Sequence, residues 1–485
     1  MGDAAVVTIR RQVLDVDLPG TEADGLALQR RLPGVCADVL WPAIEAALGA
    51  IDPGDSYVYL DRLAIDLTLH SIDGFESELA DAVQRELQDH FRRHPLRRTV
   101  PSSAAGDPGD PGEPPFPGEP GTPSDVHHRT IGQTVDQALY TFLRTGRLPW
   151  SFRLTPGRTL EQLVQDAWHD AWGHRHPPPA IRQRLLTVLT LPEARERLAI
   201  QFAAGFVLAV LRILSPDVAA LLAQIEAALG GAGPASSTAR AFTRQVRVNA
   251  IEAAVAGRRP RPHSLVRSAW TTLSPAGRAD RTLAAALERE WPGSTQAGSA
   301  PVPVLAEPAP ARPATPEGGE TGGLLVDCAG IVLLHPFLPR FFEGLGIAAG
   351  GELMDPGRAL CLLHHLTTGD LTAPEHRVTL AKALCGLPLE QPVEADVGLT
   401  DAETAEATAL LEAAIRHWEA LRSTTPDGLR AEFLQRPGVL SLTSDGDWLL
   451  RVETRTADIL LDQLPWGFSP VSLPWMSHLM MVEWR

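Results

Sequence analysis

Two kinds of hydrophobic spacing divide the beginning of the chain. Apolar and polar side chains alternate at residues 6–17 (VVTIRRQVLDVD) and 57–69 (YVYLDRLAIDLTL), and a period of two predicts strands. Residues 22–48 and 75–91 repeat apolar side chains every three or four positions, which is the period of an amphipathic helix. Residues 1–96 are therefore predicted to form a small β-α-β-α domain.

Two of these elements contain an irregularity. Pro33 falls inside the helical pattern of 22–48, and proline has no N–H to donate within a helix. The alternation of 57–69 changes phase near Asp61, so a bulge or bend is expected there.

Helical spacing returns over residues 129–291, where it is broken repeatedly by proline. The prolines stand at positions 149, 156, 177–179, 192, 216, 234, 260, 262 and 275, so the pattern predicts many short helices. The most apolar stretch, LAIQFAAGFVLAVLRIL at 198–214, is shorter than the roughly 20 apolar residues that span a bilayer. We expect one buried core helix there, with membrane insertion or self-association as the alternatives.

Two Pro/Gly-rich segments separate these regions from the rest. Residues 97–128 and 292–322 contain too few apolar side chains to offset the entropy of ordering them, and are predicted to be disordered linkers. The predicted domains are then residues 1–96, 129–291 and 323–485.

The last region starts with helical spacing and ends with short alternating runs. Residues 437–443 and 447–454 flank Ser-Asp-Gly, which predicts a β-hairpin. A short helix is expected at 458–464, followed by strands at 469–473 and 478–484. The predicted fold class is α+β and multi-domain, with a βαβα N-terminal domain, a Pro-interrupted helical middle and a C-terminal domain of helices plus a hairpin.

One short pattern occurs twice. TFLRTGRLPW at 141–150 and HHLTTGDLTAP at 364–374 share Leu-x-Thr-Gly-x-Leu followed by proline. Gly146 and Gly369 are expected to close a helix in the left-handed conformation, and the proline prevents the helix from resuming. A duplicated module would explain the repetition but is not required for it.

Charge and composition exclude some classes of function. The formal net charge is -16, which argues against nucleic-acid binding. Lys382 is the sole lysine, and residues 239–291 are rich in arginine. Those arginines are expected on solvated helix faces, with binding of an acidic protein as the alternative. No signal peptide is evident, so the chain is expected in the cytoplasm.

Several His and Cys residues cluster in the C-terminal region, at Cys361, His364, His365, His376 and Cys385. Zinc-type spacings are absent, so these side chains, like Cys36 and Cys328, are predicted to be reduced and mostly buried, without a metal. P-loops, GxGxxG and GxSxG motifs are absent from the sequence as well. We therefore expect no cofactor and no catalytic residues.

Aromatic residues are dense near the C-terminus, in LPWGFSPVSLPWM. Trp466, Phe468 and Trp475 are candidates for a partner interface, because aromatic side chains dominate binding hot spots. The alternative is that the tryptophans anchor the core.

An ordered set of local signatures resembles one known family. The pieces include IRRQVLDVDLPG (9–20), YLDRLAIDL (59–67), FLRTGRLPW (142–150), IVLLHPFLPRFF (331–342) and PEHRVTLAKALCGLPLEQPV (374–393). Together they resemble the tape measure protein family of contractile injection systems, which are extracellular, phage-tail-like particles.

The resemblance implies a structural role in assembly, namely setting or helping to set the length of the inner tube. It also implies inner-tube, baseplate or cap proteins as partners, with self-association, and a final place inside the particle. From charge and from the length of the apolar stretch, we expect neither nucleic acid as a partner nor a stable membrane span. A cargo, baseplate or cap adaptor-chaperone of the same particle is the alternative, and an uncharacterised metal-dependent enzyme a more distant one.

A ruler must convert chain length into distance. A continuous helix rises about 1.5 Å per residue, so residues 129–291 would reach at most about 250 Å, and their prolines prevent a continuous helix. We therefore expect folded ends, with extension in the middle and the linkers.

Overall fold

A computed structural model describes residues 21–49, 56–60, 75–93, 126–155, 157–173, 177–230, 237–295, 323–421 and 423–484, together with residues 9, 12–14 and 16. The chain separates into two compact units. The first comprises Met1–Asp136 with Gly318–Gly322, and the second comprises Gln137–Glu317 with Gly323–Arg485. The domain limits predicted from the linker composition stay predictions.

The helices of the first unit follow the predicted pattern. They are α1 (Glu22–Val35), a wide π-type turn (Cys36–Leu40), α2 (Trp41–Gly49) and α3 (Phe75–Arg93). The helical path continues through Pro33, and the π-type turn follows directly after it, where proline weakens the regular hydrogen-bond ladder. The helices bury one apolar cluster, made of Leu28, Val35, Leu40, Ala47, Phe75, Leu79, Val83 and Leu87.

The strands of the first unit differ in part from the prediction. Strand β1 (Ser56–Leu60) pairs antiparallel with β2 (Val126–Thr130), with Ser56 opposite Thr130, and β2 was not expected. The rest of the predicted strand 57–69, with its bulge, lies outside the described residues. The strand predicted over 6–17 is not formed at residues 9, 12–14 and 16. Val13 is 69% exposed, so its side chain is not packed in a core.

Ten helices follow, as the spacing of 129–291 predicts for the described part of this region. They are α4 (Ile131–Thr145), α5 (Leu160–Trp172), α6 (Pro179–Val188), α7 (Pro192–Gln201), α8 (Ala204–Leu214), α9 (Pro216–Gly230), α10 (Ser237–Val255), α11 (Pro262–Thr272), α12 (Pro275–Arg278) and α13 (Arg281–Glu290). Five of them begin with proline, whose missing N–H costs nothing at the first helical position.

The single helix predicted over 198–214 is wrong, because α7 ends at Gln201 and α8 starts at Ala204. Phe202 has an extended backbone between them, and its ring stacks on Phe206 with centroids 4.6 Å apart. The predicted burial is confirmed, since Leu198 and the apolar face of α8 lie in the core, the latter formed by Phe206, Val207, Val210, Leu211 and Leu214. In the described parts, no helix is long and apolar enough to cross a membrane.

The C-terminal region combines short helices with a four-stranded sheet. Its elements are β3 (Leu324–Val326), α14 (Leu338–Gly344), β4 (Ala348–Ala349), β5 (Glu352–Leu353), α15 (Pro356–Thr368), α16 (Thr379–Leu384), α17 (Asp401–His417), α18 (Pro426–Leu429), β6 (Gly438–Leu442), β7 (Trp448–Val452) and β8 (Met480–Glu483). A 3₁₀ helix, Ala329–Leu334, joins β3 to α14. The sheet order is β3-β6-β7-β8, and β8 runs parallel to β7.

The predicted hairpin is confirmed as β6 and β7, with Leu440 opposite Leu450. The predicted short helix is a 3₁₀ helix, Thr456–Gln463, and the predicted strand 478–484 contains β8. The strand predicted over 469–473 is wrong, since it contributes one bridge between Val471 and Met480. Pro470 has no N–H for a ladder, and the Ser469 hydroxyl accepts the Val482 N–H instead.

The sheet, α15, α16 and α17 enclose one apolar core, which includes Leu334, Leu363, Leu411, Leu440 and Trp484. With two units and both helices and sheets, the predicted α+β multi-domain class is confirmed.

Candidate functional site

The end of α4 prepares a close approach between two distant parts of the chain. Gly146 has φ +74° and donates its N–H to the Phe142 carbonyl oxygen over 2.7 Å, so the predicted left-handed helix stop is confirmed. A Cβ atom at this position would lie 2.2 Å from Oε1 of Glu375. Gly146 is therefore required both by the backbone and by a carboxylate that packs against it.

Arg197 on α7 holds that carboxylate. Its Nε lies 2.8 Å from Oε2 of Glu375 and its Nη2 lies 3.0 Å from Oε1, which is the bidentate geometry preferred by guanidinium and carboxylate. The same guanidinium donates to the carbonyl oxygens of Leu143 and Glu390. Both charged side chains are fully buried, so the pair is removed from water.

Lys382 on α16 completes the cluster. Its Nζ lies 2.6 Å from Oε1 of Glu375 and also donates to the carbonyl oxygens of Leu389 and Gln391, over 2.8 and 2.7 Å. Burial lowers the pKa of Lys382, and the Glu375 carboxylate opposes that effect. Two cations thus share one anion, and backbone carbonyl oxygens accept the remaining N–H donors.

Polar contacts continue along one edge of this cluster. Gln201 donates to the Val393 carbonyl oxygen over 2.5 Å, and its own Oε1 accepts the Glu375 N–H over 3.1 Å. Arg244 pairs with Glu394 over 2.8 Å, and Arg240 donates to the Val397 carbonyl oxygen over 3.2 Å. We call the whole set the charged seam, defined by Arg197, Gln201, Arg240, Arg244, Glu375 and Lys382.

The charged seam joins the helices of 137–295 to the region 323–484 within the second compact unit. Its ion pairs and hydrogen bonds link these two parts of the chain. Every charged group in it has a partner. These contacts hold two stretches of chain together.

The arginines of 239–291 fall into two groups. Arg240 and Arg244 belong to the charged seam, and Arg247 pairs with Glu226 over 2.6 Å. Arg278 donates to the carbonyl oxygens of Thr271 and Leu273. Arg240, Arg244 and Arg247 are partly buried internal contacts, whereas Arg278 is exposed. The other arginines of this stretch are exposed as well, as the solvated-face interpretation predicts, and they include Arg258, Arg259, Arg261, Arg267 and Arg281. Binding of an acidic protein stays a prediction.

The predicted burial of the His and Cys cluster is confirmed. Cys361, His364, His365 and Cys385 are buried, and the ring of His376 packs edge-on against Phe142. Burial lowers the pKa of His364 to about 4 and raises that of Cys361 to about 11. Among the described residues, no three His, Cys, Asp or Glu side chains are placed to hold a metal ion.

The three candidate interface residues lie around the C-terminal core. Trp466 donates its indole N–H to the Leu333 carbonyl oxygen over 2.9 Å, and Trp475 to that of Leu384 over 2.8 Å. Phe468 packs edge-on against Trp484. All three are half-buried, and their role in binding a partner stays a prediction.

Sequence reasoning did not find Arg197 or Glu375, and it noted Lys382 for its rarity alone. Arg197 and Glu375 are 178 positions apart, and no local pattern links residues at that separation. The one available signal was the sole lysine inside an apolar helix, since a buried lysine requires a paired carboxylate.

A mostly helical protein with a small sheet and a buried network of ion pairs is the class that this fold and site define. The family model described as contractile injection system tape measure protein matches residues 7–484. The chain belongs to that family. It is a structural protein of a contractile injection system with a role in tube length. No curated protein and no solved structure matches the chain.

Proposed function

We propose that this chain works as a folded tape measure, with compact units that dock onto inner-tube, baseplate or cap proteins and with Pro/Gly-rich segments that supply length between them. It acts without catalysis, is assembled into the particle in the cytoplasm and remains inside the particle. The charged seam is the observation that carries this proposal. It folds the helices of 137–295 onto the C-terminal region, so those helices do not form a rod.

The dimensions of the helices support the same conclusion. The longest of those in 137–295 is α10, with 19 residues, which corresponds to about 28 Å of helix. A chain of residues in extended conformation reaches about 3.3–3.6 Å per residue. If a Pro/Gly-rich segment is stretched during assembly, each of its residues adds more than twice the length that a helical residue adds.

The test is particle length, measured by negative-stain electron microscopy in cells that lack this chain and in cells where it is restored. We expect scattered lengths or missing particles without the chain, and one narrow length distribution with it. Normal particles of normal length in its absence would overturn the proposal.

A second series tests where the length resides. Residues 97–128 are shortened or duplicated in the restored chain, and a matched series shortens 292–322. Tube length that follows the residue number of one segment identifies that segment as the ruler. Unchanged length in both series would show that length is set elsewhere in the chain.

Partner contacts are proposed at the C-terminal aromatic residues Trp466, Phe468 and Trp475. Because each is half-buried, alanine variants must first show an unchanged circular dichroism spectrum and unfolding midpoint. Co-purification of tagged variants with tube and baseplate proteins then reports the interface, and full recovery of every partner would exclude these residues from it.

A further inference from the structure

Residues 387–397, which we call the strap, cross the charged seam without forming a helix or strand. Side chains and backbone from other elements donate to its carbonyl oxygens. The acceptors are Leu389, Glu390, Gln391, Val393, Glu394, Ala395 and Val397. The strap is thus bound like an extended peptide, mainly through its main chain.

The donors come from both sides of the seam. Arg197, Gln201 and Arg240 reach the strap from the helices of 137–295. Lys382 and the Cys361 thiol reach it from the C-terminal region. The strap therefore belongs to neither side alone, and its release would remove hydrogen bonds that join the two.

Both ends of the strap have hinge-like backbone geometry. Gly386 has φ +67° and Gly398 has φ +65°, a region that side chains other than glycine rarely adopt. Glycine keeps many other backbone conformations accessible, so the two positions can absorb a large rotation of the strap between them.

Most side chains of the strap lie outside the core. Val393 is its one buried side chain, at 7% exposure, and Leu387, Leu389 and Val397 pack against the core from partly buried positions. Lifting the strap would expose these side chains together with carbonyl oxygens and cationic donors that water can solvate, while Glu375 keeps both Arg197 and Lys382 as partners. Segments with few buried apolar contacts open at lower free energy than the core around them.

We propose that the strap is a releasable latch, which opens as one unit about Gly386 and Gly398 during assembly and removes the hydrogen bonds that Arg197, Gln201 and Arg240 donate to it. This inference rests on the proposed tape-measure function. The opening loosens the helices of 137–295 on the C-terminal region when a partner engages the chain, while the Arg197–Glu375 pair is kept.

A native thiol reports the opening. Cys361 lies beneath the strap, with its Sγ 3.9 Å from the Glu394 carbonyl oxygen, and is fully buried. Cys328 is buried outside the strap and serves as the internal control. Alkylation of the purified full chain, followed by mass spectrometry, gives the labelling rate of each thiol.

Gly398→Ala is the loosening variant. Its Cβ would strain a positive φ and would lie 3.0 Å from Nη1 of Arg240. Gly350→Ala is the matched control, because Gly350 also has positive φ (+60°) and a Cβ there would meet nothing within 4 Å. Backbone strain of this kind shifts an opening equilibrium roughly tenfold.

We expect Gly398→Ala to speed alkylation of Cys361 roughly tenfold and to leave the alkylation rate of Cys328 unchanged. Gly350→Ala should change neither rate. Hydrogen exchange should quicken together in the strap and α7, and stay slow in β6 and β7. Equal acceleration of both thiols, or none, would overturn the latch, because the strap would then open only with the whole unit.

Measuring particle length distinguishes a failure of the latch proposal from a failure of the tape-measure proposal. If restoring the wild-type chain restores length, Gly398→Ala should broaden the length distribution and Gly350→Ala should not. A normal distribution with Gly398→Ala would refute the latch and leave the tape-measure function intact. No effect of the wild-type chain would refute the function itself.

Discussion

Glu375 is the anion on which the charged seam depends. The Glu375→Gln variant keeps its shape but leaves Arg197 and Lys382 buried without a counter-charge, and its amide N–H groups would face their donors. Removing one partner of a buried ion pair costs about 3–5 kcal/mol, so we expect a loss of that order in the free energy of unfolding, measured by urea denaturation.

The matched control is Glu483→Gln. Glu483 pairs with Arg451 over 2.7 Å, but both side chains are more than half exposed, and exposed pairs contribute about 0–1 kcal/mol. Similar losses for the two variants would show that the seam is not shielded from water.

Two buried histidines predict a dependence of stability on pH. Burial, with a contribution from Arg377, lowers the pKa of both His364 and His376 from 6.5 to about 4. The unfolded chain therefore binds protons near pH 6.5 while the folded chain does not, so stability is full above that pH and falls as the pH drops towards 4. Each histidine contributes a slope of at most about 1.4 kcal/mol per pH unit.

The measurement is urea unfolding at several pH values between 4 and 7. His364→Gln and His376→Gln should each flatten the slope, and His478→Gln, at an exposed position, should leave it unchanged. Parallel slopes for all variants would assign the pH dependence to other groups.

At the scale of whole elements, helices α4 and α15 end with the same arrangement of a threonine and a glycine. Gly146 and Gly369 both close their helices with positive φ. Thr145 and Thr368 each donate to the carbonyl oxygen four residues earlier and accept an N–H two residues later. The sequence pattern predicts these stops, because each one is built from neighbouring residues.

At each of these helix ends, an arginine that is distant in the sequence also donates a hydrogen bond. Arg197 donates to the Leu143 carbonyl oxygen, and Arg430 donates to that of Leu366, each three positions before the glycine. Short-range patterns carry no information on these arginines. The same limit applies to the parallel pairing of β8, since hydrophobic alternation predicts a strand but not its neighbour.

Gly146 both adopts a positive φ and leaves room for the Glu375 carboxylate, and a comparison with Gly157 separates these two effects. Both have positive φ, near +75°, but a Cβ at Gly157 would meet nothing within 4 Å. Gly157→Ala should cost about 1–2 kcal/mol from backbone strain alone. Gly146→Ala should cost several kcal/mol more, because it also displaces a buried carboxylate. Equal costs by thermal or urea unfolding would contradict the close contact with Glu375.

At the scale of the whole molecule, we expect the charged seam to make the second unit unfold cooperatively. Its contacts bring together α4, α7, α10, α16 and the strap, and most of its donors reach backbone oxygens across the seam. A substitution on one side of the seam should therefore change the stability of the other side. Composition pointed to a linker at 292–322 and to separate domains on either side of it, and compositional patterns cannot show such a seam.

Separate expression tests this coupling. Residues 137–295 and 323–485 are produced as two chains and compared with the full-length protein by urea unfolding. We expect the C-terminal fragment alone to lose several kcal/mol, because Glu375 and Lys382 lose the Arg197 guanidinium and the strap loses its helical donors. Mixing the fragments should restore stability, by an amount that rises with the logarithm of fragment concentration. The same mixture with Arg197→Met should fail to do so, whereas Arg258→Met, which removes an exposed pair with Glu252, should restore it fully. Two fragments that unfold at the same midpoint as the full-length protein would instead establish independent domains on either side of the predicted linker.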